Sequence, residues 1–297
     1  MVAACVAWPG DGTVSAGVCG WRPGWCVVTG EPVSVLIPWR DGVPGDGRAE
    51  AFRYVCDWWS AAHPEWPVIV GRCDDQDGPW RKGLAVWRAL CRASTRVVIM
   101  ADADVVCANV AETVDVVESG MARWAMPHRM VGRMTAESTA IVYEHGRYPQ
   151  PPFRPGAASM AYANVHRGAP GGGMVVVRAD IAKLIPIDPR FVGWKFEDYA
   201  WARALTITAG HPHMGRELLY HHWHTPAENA GTSVSAPEPE SESRRLWDRY
   251  RSTPHAKAMV ALCAEAVEEC RMLQERRSVR DLASLVTHGH DHSGVSG

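Results

Sequence analysis

The chain has 297 residues, 46% of them hydrophobic, which is enough to bury one large core or two small ones and excludes a peptide-scale or disulfide-dependent scaffold. Its 31 basic and 33 acidic residues leave a formal charge of −2, so there is no global positive field to gather nucleic acid or anionic lipid. Nine cysteines, an odd number without a Cys-x-x-Cys pair, read as reduced thiols in a cytoplasmic setting.

Residues 1–31 are rich in Gly and Trp and read as an N-terminal edge segment packed on the core. Neither a basic start with an apolar stretch behind it nor an apolar run of ~18 residues occurs, so a soluble protein without a transmembrane segment is expected. Residues 32–230 alternate strand-like and helix-like pieces, the pattern of one α/β layered domain. Residues 33–38 (Val-Ser-Val-Leu-Ile-Pro) are predicted to form a buried strand, and 48–63 a helix ended by Pro64. A second strand follows at 68–72. Leu84, Val86, Trp87 and Leu90 recur at helical spacing within 80–93, and 96–100 is a third strand. Strand, helix, strand, helix, strand in this order implies a parallel sheet with right-handed crossovers, whose ligands lie beyond the carboxyl ends of the strands.

All three strands deliver polar residues to that edge: Trp39-Arg40-Asp41, Asp74-Asp75 and Asp102-Ala103-Asp104. Two carboxylates at i and i+2, where a strand leaves the sheet, suit a hard divalent ion bridging a diphosphate. Alone, Asp-x-Asp describes two solvated loop acids equally well. Further along stand Gly171-Gly172-Gly173 before a strand at 174–178, then Gly193-Trp194-Lys195-Phe196-Glu197-Asp198 opening a helix, then Tyr220-His221-His222-Trp223-His224. If that last segment is extended, His222 and His224 share a face; if it turns, His221 and His224 do. Residues 231–242, rich in Ser, Pro and Glu, read as a linker, 243–286 as a helical extension, and 287–297, with three His among Gly and Ser, as a disordered tail.

An Asp-x-Asp, a Gly-Gly before a strand, a Gly-Trp-x-x-Glu-Asp and a late His, in this order, resemble the GT-A fold glycosyltransferases. The likeness is to their galactosyl- and N-acetylgalactosaminyl-transferase group, and it runs over residues 33–226, about two thirds of the chain. It implies a GT-A (Rossmann-like) α/β fold, with a mixed, mostly parallel sheet flanked by helices and a C-terminal helical extension. It also implies transfer of a hexose or N-acetylhexosamine from a nucleotide sugar, UDP-linked by preference, with inversion at the anomeric carbon. Carried over by motif, Pro38, Trp39, Arg40 and Asp41 would hold the nucleoside with Asp74 or Asp75 at the base. Asp102 and Ala103 would approach ribose or donor sugar. Asp104 and His224, with His221 as a third candidate, would bind Mn²⁺ or Mg²⁺. Gly172, Gly173, Trp194 and Glu197 would face the acceptor, and Asp198 would be the general base. Arg81 and Lys82, at the start of the second helix, would add positive charge to the phosphates.

The acceptor is left open among glycan, lipid-linked sugar and protein side chain. Two other readings compete: a catalytically silent sugar-nucleotide or glycan-binding module of the same fold, and a nucleotidyltransferase, which would also want paired acids and a divalent ion. Retention of Glu197-Asp198 argues against the first, and the Gly-Trp-x-x-Glu-Asp element against the second.

Overall fold

A computed structural model of the chain describes residues 33–74, 78–150, 155–156, 158–225 and 241–288, with side chains through residue 278. The N-terminal segment 1–31, Asp75, nearly all of the linker 231–242 and the tail beyond 288 therefore lie outside the described residues.

The chain opens with β1 (Val33–Trp39), α1 (Arg48–Ala62), β2 (Val68–Arg72), α2 (Lys82–Leu90) and β3 (Val97–Ala101), the five elements expected. β1 pairs in parallel with β2 on one side and β3 on the other. The two crossovers thus run in opposite directions across the sheet, and two right-handed crossovers of that kind put their helices on opposite faces. Burial bears this out. Val33, Val35 and Ile37 of β1 join Val55 and Trp59 of α1 in one buried cluster, while Leu36 joins Val86, Trp87 and Leu90 of α2 in the other. β3 alternates in the same way, Val97 and Ile99 facing one cluster, Val98 and Met100 the other. Burial on both faces explains why these strands read as continuous apolar runs rather than as alternating ones.

After β3 come β4 (Val105–Cys107), α3 (Ala111–Glu118), β5 (Trp124–Met134), α4 (Ala136–His145), β6 (Tyr162–Arg167), β7 (Met174–Arg178), α5 (Ala179–Leu184), α6 (Glu197–Ala209) and β8 (His213–His221). The eight strands form one sheet in the order β2-β1-β3-β7-β5-β8-β4, with β6 paired to β5. β7 lies antiparallel between β3 and β5, and β8 is parallel to β5. Strands β1, β2, β3, β5 and β8 therefore share one direction, which makes the sheet mixed and mostly parallel, the class expected. Their common orientation brings the carboxyl ends of β1, β3 and β8 to the same edge as the start of β7.

The last elements, α7 (Glu242–Ser252) and α8 (Ala256–His288), cover the face that carries α2, α5 and α6. A buried carboxylate anchors them: Asp188 forms an ion pair with Arg190 at 2.6 Å and accepts the Tyr250 hydroxyl at 3.0 Å. Arg190 and Arg249 both hold Glu265 of α8, so the interior charge is paired on every side. No helix among the described residues is long and apolar enough to cross a membrane.

Candidate active site

The Asp102-Ala103-Asp104 turn links β3 to β4 at the shared edge. β4 then pairs antiparallel with the end of β8, Val105 opposite His221, and the His222 amide donates to the Asp104 carbonyl at 2.8 Å. This pairing carries His221 and His224 to Asp104. The Asp104 oxygens lie 3.0 Å from His224 Nε2 and 3.9 Å from His221 Nε2, and ligand atoms of all three residues fall within 4.8 Å of one another. β8 ends at His221, and of the two pairs open in the sequence it is His221, not His222, that joins His224. His222 points inward, fully buried, with its ring nitrogens 3.3 Å from the Tyr143 hydroxyl and 3.1 Å from that of Tyr148.

The donor set suits a divalent cation. A backbone carbonyl can only accept, so His221 Nδ1 donates to the His222 carbonyl at 2.9 Å and His224 Nδ1 to the Thr225 carbonyl at 3.0 Å. Both Nε2 atoms thus face Asp104, where that of His224 donates to the carboxylate at 3.0 Å and both would serve as ligands to an ion, with the backbone fixing the ring directions. Burial would raise the Asp104 carboxyl, but His221, the hydrogen bond and charge of His224, and Arg48 hold it well below the usual carboxylate range. Burial pushes the His221 imidazole down, toward the neutral ligand form. The bond to Asp104 outweighs burial at His224 and raises that ring instead. Arg133 also reaches the centre, with its guanidinium 3.4 Å from His221 Nε2.

Beside this cluster lies a second group of charges. Lys82 Nζ stands 2.7 Å from Asp102 Oδ1 and 2.9 Å from Asp198 Oδ1. Burial alone would lower the ammonium, but Asp102, Asp198 and Glu197 together raise it well above the ordinary lysine range, so it stays charged. Burial raises Asp198 while Lys82 draws it back. Glu197 is 6% exposed, its Oε2 lacks a hydrogen-bond partner, and burial with the neighbouring Asp198 pushes it up to about 8. Glu197 and Asp198 occupy the first turn of α6, where the helix dipole favours negative charge. The residue before them, Phe196, has φ 74°, the one positive φ outside glycine among the described residues. Such a conformation costs on the order of 1–3 kcal/mol. α7 supports it, with Trp247 stacked on the Phe196 ring at 6.2 Å and Arg244 over it at 4.9 Å.

The glycine triplet closes the group. Gly173 N–H donates to Asp102 Oδ2 at 3.2 Å, and the Asp102 amide returns a bond to the Gly173 carbonyl at 2.8 Å. A Cβ on Gly171 would stand 2.5 Å from the Asp198 carbonyl, and one on Gly172 3.1 Å from Asp198 Oδ2, so the loop needs the absence of side chains to reach α6. Pro38, Lys82, Asp102, Gly171, Gly173 and Trp201 line one small cavity at this point.

The remaining candidates sit around the rim. Trp39 is buried, stacked on Phe52 at 4.1 Å, and its indole donates to Asp41 at 2.9 Å. Asp41 also holds Arg72, and Arg40 donates to the Gly78 carbonyl at 2.8 Å. Asp74 lies between Arg72, at 3.5 Å, and Arg277 of α8, at 2.9 Å. Arg81 donates to the Pro189 carbonyl at 2.9 Å. Trp194 is 45% exposed, stacked on Trp80 at 5.4 Å with the Arg48 guanidinium 4.8 Å from its ring centre. Sequence reasoning did not single out Arg48, Tyr143 or Tyr148. Arg48 opens a helix in an Arg-rich chain, and the two tyrosines come from a stretch without motifs, so nothing local marked any of them.

No protein-family model and no curated protein matches the chain. Among solved structures it is similar to a mutant of Drosophila beta-1,4-galactosyltransferase 7 in complex with manganese, UDP-Gal and xylobiose. That match has 12% identity and a TM-score of 0.34, covering 62% of this chain and 63% of that one. The chain thus spans a little under two thirds of that galactosyltransferase. It is also similar to glucosyl-3-phosphoglycerate synthase from Mycobacterium tuberculosis in complex with Mn²⁺, UDP-glucose and phosphoglyceric acid, at 15% identity and a TM-score of 0.34, covering 82% of this chain and 86% of that one. At these values neither likeness carries an argument about chemistry, which is read from the chain's own residues.

Proposed function

We propose that the chain is a divalent-metal-dependent, inverting glycosyltransferase that moves a hexose or N-acetylhexosamine from a nucleotide sugar, UDP-linked by preference, to an acceptor hydroxyl. The observation that carries this reading is the adjacency of two groups at one sheet edge. The three-residue cluster Asp104, His221 and His224 lies beside a half-buried carboxylate, Asp198, set at a helix start. Such transfer needs a base for the acceptor proton and positive charge for the departing diphosphate.

In this reading Asp104, His221 and His224 hold Mn²⁺ or Mg²⁺, the oxygen and imidazole set favouring Mn²⁺. A bound ion there supplies Lewis-acid stabilisation of the leaving diphosphate. Asp102, fixed by the Gly173 amide, orients the ribose or donor sugar. Pro38, Trp39, Arg40, Asp41 and one of Asp74 or Asp75 shape the nucleoside end. Asp198 takes the proton from the acceptor hydroxyl, Glu197 and Trp194 orient the acceptor, and Gly172 leaves room for it beside Asp198. Lys82 pairs with both Asp198 and Asp102 and offsets part of the burial that raises Asp198. The free thiols accord with a cytoplasmic setting.

Incubation with UDP-sugars and Mn²⁺ should release UDP in a manner stopped by EDTA and restored by Mn²⁺. Asp198→Asn should retain nucleotide binding and lose transfer by ~10²–10⁴-fold, the range for a general base. Nucleotide binding by the wild type without any release of UDP would identify a silent binding module instead. A product with the donor's own anomeric configuration, read by NMR, would remove the inverting mechanism.

A further inference from the structure

The metal-ligand cluster has a neighbour that no motif marks. Arg48 is the first residue of α1, and its amide donates to Asp46 Oδ1 at 2.9 Å. Asp46 is 6% exposed, and its carbonyl accepts the Thr225 amide at 2.7 Å, one residue after His224. A Cβ on Gly47 would lie 3.3 Å from the His224 Cα. The start of α1 is thus fastened to the segment that carries the last ligand, and Arg48 cannot drift from it without breaking these contacts. Its guanidinium lies 3.6 Å from Asp46 Oδ2 through Nε and 4.8 Å from the Trp194 ring centre, and its side chain is 16% exposed.

We propose that Arg48 binds the diphosphate of the donor beside the metal-ligand cluster, making the site selective for a pyrophosphate linkage over a single phosphate. This inference rests on the nucleotide-sugar reading. Charge balance supports it. One carboxylate and two neutral imidazoles leave a divalent ion with a net charge of about +1, too little for a departing nucleoside diphosphate, and a guanidinium adds the second positive charge in a two-pronged form suited to phosphate oxygens. The other cations near the edge are held by closer contacts than Arg48, whose Nε stands 3.6 Å from Asp46 Oδ2. Lys82 is matched by two carboxylates, Arg81 donates to the Pro189 carbonyl, and Arg133 lies 3.4 Å from His221 Nε2. In the arrangement seen here the Arg48 guanidinium rests over the Trp194 face, a contact weak enough to be exchanged for phosphate oxygens.

The test is calorimetry in saturating MnCl₂ with UDP, UMP, GDP and GMP against the wild type, Arg48→Gln and, as a control for general field, Arg133→Gln. Arg48→Gln should weaken the nucleoside diphosphate by roughly ten- to hundredfold, the loss of one charge-assisted contact, and change the monophosphate less than about twofold. Mn²⁺ affinity without nucleotide should be retained in Arg48→Gln, because a cation beside the ion does not help to bind it. Equal weakening of diphosphate and monophosphate, an unchanged diphosphate, loss of Mn²⁺ affinity, or the same selective loss in Arg133→Gln would each overturn the assignment to Arg48. If the wild type binds none of the four nucleotides, the nucleotide-sugar reading fails and this inference falls with it.

Discussion

Lys82 Nζ lies 2.9 Å from Asp198 Oδ1, so the residue proposed to accept the proton is paired with an ammonium from a different helix. The same ammonium contacts Asp102 at 2.7 Å, so one cation restrains both the donor-side acid and the base. Replacing Lys82 by Met removes the partner that draws the Asp198 carboxyl down against its burial. The acid limb of the pH–rate profile should then move to higher pH, whereas Lys82→Arg, which keeps the charge, should leave it close to its wild-type position. A limb that stays in place in Lys82→Met would show that the base does not feel this contact. Breaking a buried pair of this kind costs roughly 3–5 kcal/mol, so the variants should be compared below their melting transitions.

Asp104→Ala should abolish Mn²⁺ binding measured by electron paramagnetic resonance, together with Mn²⁺-dependent turnover. It removes the carboxylate toward which both Nε2 atoms converge. His222→Phe is subtler. Its ring bridges the Tyr143 and Tyr148 hydroxyls, while the contact to His221 is made by its backbone carbonyl, so the variant should lower the melting temperature and leave Mn²⁺ affinity within about tenfold of wild type. A Mn²⁺ titration of Asp104→Ala that matches wild type would mean that the ion sits elsewhere.

Glu197, pushed up to about 8 by burial and by Asp198, makes stability fall as pH rises. Above about pH 4.5 the unfolded chain gives up this proton while the folded chain keeps it, so the folded state binds more protons and loses stability until about pH 8. Glu197→Gln removes the titration. The melting temperature of the variant relative to wild type should therefore be higher at pH 8 than at pH 5, and a difference independent of pH would contradict the assignment.

Gly71 of β2 lies against α2 so closely that a Cβ would stand 1.8 Å from the Ala85 carbonyl. Gly71→Ala should destabilise by about 1–3 kcal/mol or more, because helix and strand must separate. Lys82 stands at the start of α2, so nucleotide affinity should drop along with the denaturation midpoint. An unchanged midpoint would show that the α2 contact yields freely.

The succession from β1 to β3 was legible because each strand is an unbroken apolar run and each helix repeats its apolar residues at helical spacing. These are signals of local geometry, which a sequence carries whole. Small differences arose at the ends: α2 starts at Lys82 rather than residue 80, and α6 begins at Glu197, with Phe196 in the left-handed region just before it. Positive φ at Phe196 has no local signature, since the contacts to its ring come from Trp247 and Arg244 of α7 and from the core, far along the chain.

The resemblance in motif order singled out Asp104, His224 and Asp198, with His221 as a third candidate ligand, and the tertiary structure brings Asp104, His221 and His224 together. Sequence alone left open whether His221 or His222 accompanies His224. That was decided by the antiparallel pairing of β4 with β8, which sets His221 opposite Val105 beside Asp104 while His222 enters the core between two tyrosines. The same holds for Lys82 between two acids and for Arg48 beside the last ligand: contacts between residues far apart in the chain depend on strand order and crossover direction, and no local pattern encodes either.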